Sequence, residues 1–336
     1  MLDNIEINNF RSIENLKIEN FKNVNFFFGR ANSAKTSVLE ALYIFLKEDA
    51  SAFKDISDSR FNLLDDDVIE GLFLDYNTSQ EIRIESKTKN IIIKKSDDKK
   101  TQITNGNTAN TADIKSIIYS LEIDSKKYDD MLFTIARNQT GIEIRTQTIP
   151  NKTSESTYIG SFKLNDVFYS HIKQALQDNE LENKLNGYCK EFESEIDGIS
   201  IIDRAIYAKI LGHNKKINLK LMGQGFISYL SYLTAALLKT KFICIDEIEN
   251  GLHFEHINLV LETILELSLK HDIQFFITTH SKELLEQLAK IADENADFKD
   301  GIACFNLYKE DNKIKVWENK IDGFVINMKQ EKEVRL

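Results

Sequence analysis

The stretch NVNFFFGRANSAKTSVLEAL, residues 23–42, decides the fold. Its opening NVNFFF is apolar enough for a central strand buried on both faces. A glycine turn follows at Gly29. From Ser33 onward Val38, Leu39, Leu42, Tyr43 and Leu46 recur at helical spacing, which predicts a helix with an inward face. Strand, glycine turn and helix in that order are the setting a phosphate loop requires. The loop reads Gly29-Arg30-Ala31-Asn32-Ser33-Ala34-Lys35-Thr36-Ser37. Gly29, Lys35 and Thr36 stand at the usual P-loop spacing, and Ala34 stands where the second glycine belongs. The chemistry needs successive backbone N–H groups curled around phosphates, a lysine reaching their outer oxygens, and a hydroxyl on Mg2+. Ala34 can donate the same N–H. Whether its methyl fits depends on the backbone angles there. Two outcomes stay open, a site that binds nucleotide and a site that has lost it.

The second half of the chain raises the case for the first outcome. FICIDE, residues 242–247, is an apolar strand ending in adjacent carboxylates. Asp246 is placed to approach Mg2+, through water or the Thr36 hydroxyl, and Glu247 to orient and deprotonate an attacking water. A further apolar run, QFFITT (residues 274–279), leads into His280. A histidine just beyond a strand can reach the γ-phosphate or the attacking water, sensing nucleotide rather than serving as the main base.

The spacing predicts strands over residues 1–10, broken near Asn8 and Asn9, and over 16–18. GLFLDY, QEIRIES and NIIIKK, between residues 70 and 95, read as short β stretches of an antiparallel layer, which 131–145 and 158–164 would complete. Residues 97–111 are polar enough for a loop. Helical pattern dominates 167–211, without the sustained heptads of a coiled-coil arm. Helices are predicted over 225–238, 254–269 and 282–291, strands over 241–245 and 273–278, and two more β stretches over 302–308 and 314–318. This alternation predicts an α/β fold with parallel strands: a P-loop core with an antiparallel β layer and a helical insert. The corresponding division is 1–65, the N-terminal part of the core with the P-loop; 66–165, a β-rich arm or layer; 166–218, the helical insert; and 219–336, the C-terminal part of the core.

Composition fits this reading. Of 336 residues, 42% are hydrophobic and 29% charged, an ordinary globular balance. The formal charge of −10 argues against a uniformly basic surface, though not against a local positive groove. Cys189, Cys244 and Cys304 are too widely spaced for a metal or disulfide framework. No apolar run reaches membrane-spanning length and no basic-then-apolar leader is visible, so a cytoplasmic protein without a membrane partner is expected.

Four segments together carry a specific resemblance: FRSIENLKI (10–18), GRANSAKTSVLEAL (29–42), FICIDEIENGLH (242–253) and FFITTHSKELL (275–285). The chain resembles the ABC-type ATPases of the SMC, Rad50, RecF and OLD group, and most closely the small bacterial AAA15 ATP-binding proteins. The middle of the chain matches poorly. The resemblance implies ATP and Mg2+ as cofactors, with Arg11 near the nucleotide and Gly29, Arg30, Asn32, Ser33, Ala34, Lys35, Thr36 and Ser37 around it. Thr36 and Asp246 would hold the metal, and Lys35, Glu247 and His280 would carry the catalysis. The turn Glu249-Asn250-Gly251-Leu252-His253 would lie at a dimer seam. A signature segment is implied at Leu221-Met222-Gly223-Gln224-Gly225, with Met222 where many relatives have serine; Gly223, Gln224 and Gly225 would face the other subunit's γ-phosphate. No glutamine-loop residue is selected among Gln80, Gln102 and Gln139.

The implied machine is a head-to-head homodimer, or a higher homo-oligomer, closed by ATP and reopened by hydrolysis. It would control a protein effector, a nuclease or toxin, in phage defence or genome maintenance. The segment after Leu285 is too short for a separate nuclease domain. Two alternatives stand beside this reading. One is a noncatalytic ATP-gated scaffold, favoured by Ala34. The other is a DNA-binding clamp, for which Lys87–Lys89, Lys94–Lys95, Lys99–Lys100 and Lys215, Lys216 and Lys220 offer basic clusters.

Overall fold

The computed structural model describes residues 1–60, 67–96, 113–128, 130–138, 141–146, 155–160 and 166–329. The predicted loop 97–111, the Lys99–Lys100 cluster, Gln102, Gln139 and residues 161–164 lie outside, or almost wholly outside, these residues. Two sheets with a helix between them organise the described chain. The strand Val24–Phe28 is buried at every position, because its alternate side chains enter cores on both faces, Val24, Phe26 and Phe28 on one and Phe27 on the other, and parallel neighbours flank both of its edges. Gln274–Thr278 pairs on one side and Ile302–Glu310 on the other. The sheet order is Ser156–Ile159, Phe242–Ile245, Gln274–Thr278, Val24–Phe28, Ile302–Glu310, Lys313–Asn319, with only the last strand antiparallel to its neighbour. One polar residue interrupts the central strand. Asn25 is fully buried, but its amide donates to the carbonyls of Lys22 and Phe275 and its oxygen accepts from Lys22 N–H, so it carries no unpaired-group penalty.

The second sheet is antiparallel and takes strands from both the first and second segments of the chain. Its order is Ile13–Ile18, Ile5–Phe10, Ile82–Glu85, Lys89–Lys95, Asp113–Ile123, Met131–Asn138, Gly141–Thr146, with Lys126–Lys127 paired to Asp113–Ile123. The break expected near Asn8 and Asn9 is a local irregularity in a continuous strand. Asn9 is left-handed (φ 58), and the ladder steps from Asn8↔Asn15 to Phe10↔Ile13. The helix Lys35–Lys47 lies against strands of both sheets, which explains why its residues from Val38 to Leu46 are all buried. The single inward face read from spacing is therefore incomplete: the antiparallel sheet covers the opposite side.

Three local expectations are corrected. GLFLDY forms a single 3-10 turn, Leu74–Tyr76, because Asp75 and Tyr76 are both left-handed (φ 50 and 59) and cannot continue a ladder. Tyr158 does not extend the antiparallel layer. Its strand, Ser156–Ile159, pairs parallel with Phe242–Ile245 at the edge of the other sheet. The helical insert contains Asp166–Ala175 and Asn179–Phe192, but helix ends there. Ile196–Ile202 and Ala205–Ile210 form a hairpin joined by Asp203 and Arg204, both at positive φ (46 and 62), as a two-residue primed turn requires. Ile217–Asn218 adds a third strand. Past this insert the predicted alternation is present as Gln224–Leu237, Phe242–Ile245, Phe254–His271, Gln274–Thr278 and Lys282–Glu294. A final helix, Ile321–Lys329, packs by Phe324 into the core.

Candidate functional site

The parallel order brings the carboxyl ends of Phe242–Ile245, Gln274–Thr278 and Val24–Phe28 side by side. Loops leaving adjacent parallel strands at that end line one crevice, where ligands of such sheets bind. The P-loop, the acidic pair and His280 are those loops.

Gly29 begins the P-loop with φ 142, and a Cβ built on it would stand 2.1 Å from the Leu307 carbonyl oxygen. Only glycine fits there. Asn32 (φ 61) and Ala34 (φ 68, ψ 19) are both left-handed. Asparagine tolerates that conformation; alanine adopts it at a cost. The Ala34 carbonyl accepts the first helical bond, from Val38 N–H at 2.9 Å. Lys35 Nζ donates to the carbonyls of Gly29 (2.8 Å) and Arg30 (3.0 Å), folding the ammonium over the loop. Desolvation lowers the pKa of that ammonium below the ordinary lysine value, against the opposing pull of Glu247, Glu249 and Asp246. Ser33 is buried beneath the loop, while Arg30 and Asn32 are exposed and Ser37 lies in the first helical turn.

Thr36 and Asp246, far apart in the chain, meet: Thr36 Oγ1 donates to Asp246 Oδ1 at 3.1 Å. Thr278, which sequence reasoning did not single out, joins them. Its hydroxyl donates to the same Asp246 oxygen at 2.7 Å and accepts Glu247 N–H at 2.8 Å. Tyr158 OH reaches Asp246 Oδ2 at 3.5 Å. The signal for Thr278 was its place at the end of an apolar strand beside the acidic strand, but that adjacency follows from sheet order alone. The Thr36 and Asp246 oxygens make a hard donor pair suited to Mg2+. Among the described residues no group of three or more His, Cys, Asp or Glu could hold a metal by itself.

Glu247 is left-handed (φ 52), its side chain 38% exposed and one oxygen held by Asn250 Nδ2 at 2.8 Å. Ile248, 2% exposed, anchors the turn, with its N–H on the Thr278 carbonyl. His280 lies beside both flanking carboxylates. Its Nδ1 is 3.1 Å from Glu249 Oε1 and 3.8 Å from Glu247 Oε1.

Arg11 and the signature segment have other neighbours. Arg11 Nε pairs at 2.5 Å with Glu40, a fully buried residue one turn beyond Thr36 on the P-loop helix. Gly223 caps the helix Gln224–Leu237 without a side-chain cap. Gly225 and Gly251 interlock within one chain: a Cβ on Gly225 would meet the Gly251 carbonyl at 2.4 Å, and one on Gly251 would meet Gln224 Cβ at 2.8 Å. Ser228 Oγ adds a bond to the Asn250 carbonyl at 3.3 Å. The turn after the acidic strand and the signature helix are thus one packed unit. Gln80 is exposed, with its N–H on the Asn77 carbonyl. Two of the basic clusters are locally paired, Lys87 with Asp3, Lys89 with Glu48, Lys94 with Glu81 and Lys95 with Glu70, while in the cluster of Lys215, Lys216 and Lys220 Lys216 bonds Ser200. Among the described residues no helix is long and apolar enough to cross a membrane.

The family described as "AAA domain, putative AbiEii toxin, Type IV TA system" matches residues 24–286. An "ATP/GTP phosphatase" of Helicobacter pylori is 25% identical over 347 aligned positions, covering 93% of each chain. An uncharacterised protein of Methanocaldococcus jannaschii is 47% identical over 55 positions, 16% of this chain and 25% of that one. Among solved structures, an SMC head bound to the C-terminal winged-helix domain of ScpA superposes with a TM-score of 0.52 at 12% identity, covering 96% of this chain and 98% of that one. With the P-loop and the Thr36–Asp246 contact in hand, the chain belongs to that AAA-domain family, and its fold is like that of an SMC head.

Proposed function

We propose that the chain hydrolyses ATP with Mg2+ in a head-to-head homodimer, and that closure and reopening of this dimer control a protein effector. The observation that carries the catalytic part is the bond from Thr36 to Asp246, with Glu247 next in sequence and tied to the same Thr278 hydroxyl. Thr36 and Asp246 would hold Mg2+, which when bound neutralises developing charge on the phosphates. Backbone N–H groups from Gly29 to Ser37 cradle the phosphates, Arg30, Asn32 and Ser33 line the loop, and Lys35 turns from the loop carbonyls to the outer phosphate oxygens. Glu247 takes the proton of the attacking water, and His280 reads the γ-phosphate. Arg11, braced by Glu40, adds positive charge near the nucleotide. The name of the Helicobacter pylori relative supports nucleotide hydrolysis.

The dimer part rests on the resemblance and on the exposed signature segment. Gly223 and Gln224 are exposed at a helix N-terminus, where backbone N–H groups favour an anion from outside. Gly225 is buried behind them against Gly251, so a phosphate bound there would press on the turn that carries Glu247 and Glu249. The toxin–antitoxin wording of the family description supports an effector setting such as phage defence or genome maintenance. The local pairing of Lys87, Lys89, Lys94 and Lys95 weighs against the DNA clamp as the leading role.

The test is Mg2+-dependent ATP turnover over a range of protein concentrations, with Glu247→Gln alongside. Turnover per subunit should rise with concentration. The variant should keep ATP binding while losing about 10²- to 10⁴-fold in rate, the usual worth of a positioned base. Concentration-independent turnover would refute the composite site, and a variant at the parental rate would remove Glu247 as base.

A further inference from the structure

Glu249 is not one of the residues assigned above to bind or hydrolyse nucleotide, yet its surroundings are unusual. Its side chain is only 13% exposed. Oxygen Oε1 accepts the backbone N–H of His280 at 2.7 Å and lies 3.1 Å from Nδ1 of the same residue. Two groups of His280 therefore converge on one carboxylate oxygen. The other oxygen, Oε2, is buried without a hydrogen-bond partner among the described residues. The sequence Glu247-Ile248-Glu249 explains the placement. Ile248 is driven into the core and pinned to the Thr278 carbonyl, which leaves an acid on each side of it facing the crevice. The two acids then divide. Asn250 holds Glu247 Oε2, and Glu247 Oε1 stands 3.8 Å from His280 Nδ1, beyond hydrogen-bond distance.

We propose that Glu249 is a positioning residue for His280: it holds the backbone N–H by a hydrogen bond and stands 3.1 Å from Nδ1, where it accepts the Nδ1 proton and leaves Nε2 as the nitrogen offered to the nucleotide. A carboxylate on one ring nitrogen sets both the tautomer and the direction of the other. Glu249 thereby also spares Glu247, whose Oε1 stays unclaimed by the imidazole and available to a water. The proposal rests on the phosphate-sensing role given to His280 under Proposed function.

Two measurements test it on the full-length protein. The first needs no turnover. In protein carrying ¹⁵N-labelled imidazoles, long-range proton–nitrogen NMR reads the His280 tautomer, with His280→Ala identifying the signal. The parent should show Nδ1 protonated, and Glu249→Ala should move the proton to Nε2, while Glu249→Gln, whose amide oxygen still accepts, should retain the parental tautomer. A His280 that is Nε2-protonated in the parent overturns the proposal. The second is a double-mutant cycle on ATP turnover. Glu249→Ala and His280→Ala should each cost about tenfold to a hundredfold, the scale of a displaced active-site group, and the double variant no more than His280→Ala alone. Multiplying losses would mean that Glu249 acts independently and would refute positioning. His280→Ala at the parental rate would instead remove the sensing role beneath the proposal. Glu249→Gln guards against misfolding, since it should recover most of the rate lost in Glu249→Ala.

Discussion

Replacing Ala34 by glycine restores the residue that a phosphate loop ordinarily carries, and the structure says where the gain falls. Ala34 is left-handed at φ 68, ψ 19 before any nucleotide is considered. A residue with a Cβ pays about 1–2 kcal/mol for that conformation. Glycine pays none of it but loses about 0.4–1 kcal/mol through the greater freedom of the unfolded chain. The net for Ala34→Gly is a stabilisation of about 0.5–1 kcal/mol. Unfolding entropy of about 2.1 cal/mol/K per residue makes about 0.7 kcal/mol/K for 336 residues, so Tm should rise by only about 1 °C. ATP affinity should hardly move. The cost is already met on folding, and a ligand gains only from a difference between free and bound states. Urea unfolding of parent and variant, with nucleotide titration of both, reads the two quantities separately. A lower urea midpoint for Ala34→Gly would refute the conformational argument. Tenfold tighter ATP binding would show that the Ala34 methyl obstructs the nucleotide itself.

Gly29→Ala should do the opposite of Ala34→Gly: with a Cβ 2.1 Å from the Leu307 carbonyl and φ 142, it should destabilise by about 3 kcal/mol or more and abolish ATP binding, as urea unfolding and titration would report. The buried thiols offer a pH test. Burial pushes Cys189 up to about 12 and raises Cys244 and Cys304 further from the ordinary value of 9.0. Because the folded-state values are raised, the thiol contribution is fully present below about pH 9 and is lost as pH rises toward the folded values. Urea midpoints should therefore fall above pH 9, and a thiol reagent at pH 8 should label none of the three cysteines until the protein unfolds.

Much of the site was legible because its chemistry is local. The run from Val24 to Ser37 carries strand, turn and helix in order, and each apolar strand leads into its candidate residue, Asp246 or His280. The misreadings have local causes too. The hairpin at 196–210 turns on Asp203-Arg204, which lacks the Asn-Gly signal of a primed turn, so its apolar residues passed for a continuing helix. Tyr158 sits in a short strand whose partner, Phe242–Ile245, is distant in sequence.

What the sequence by itself determined was the identity and order of the groups: a lysine and threonine after a glycine loop, two carboxylates after one strand, a histidine after another. Spacing along the chain suffices for these because each is set by its own strand and turn. Only the tertiary structure decided which of them touch. Sheet order places Gln274–Thr278 between the acidic strand and the P-loop strand, so Thr278 bonds Asp246 and Glu247. The close approach of backbone to backbone requires glycine at 29 and 225, and at Gly251 a positive φ of 73 and the Gln224 side chain leave little room for a Cβ. The convergence of His280 on Glu249 likewise joins segments that the chain holds far apart, and the left-handed angle at Ala34 is seen only in the folded chain. Long-range contact selects among conformations that local sequence leaves open, and in this protein it brought Thr36 and Thr278 to Asp246 and His280 to Glu249.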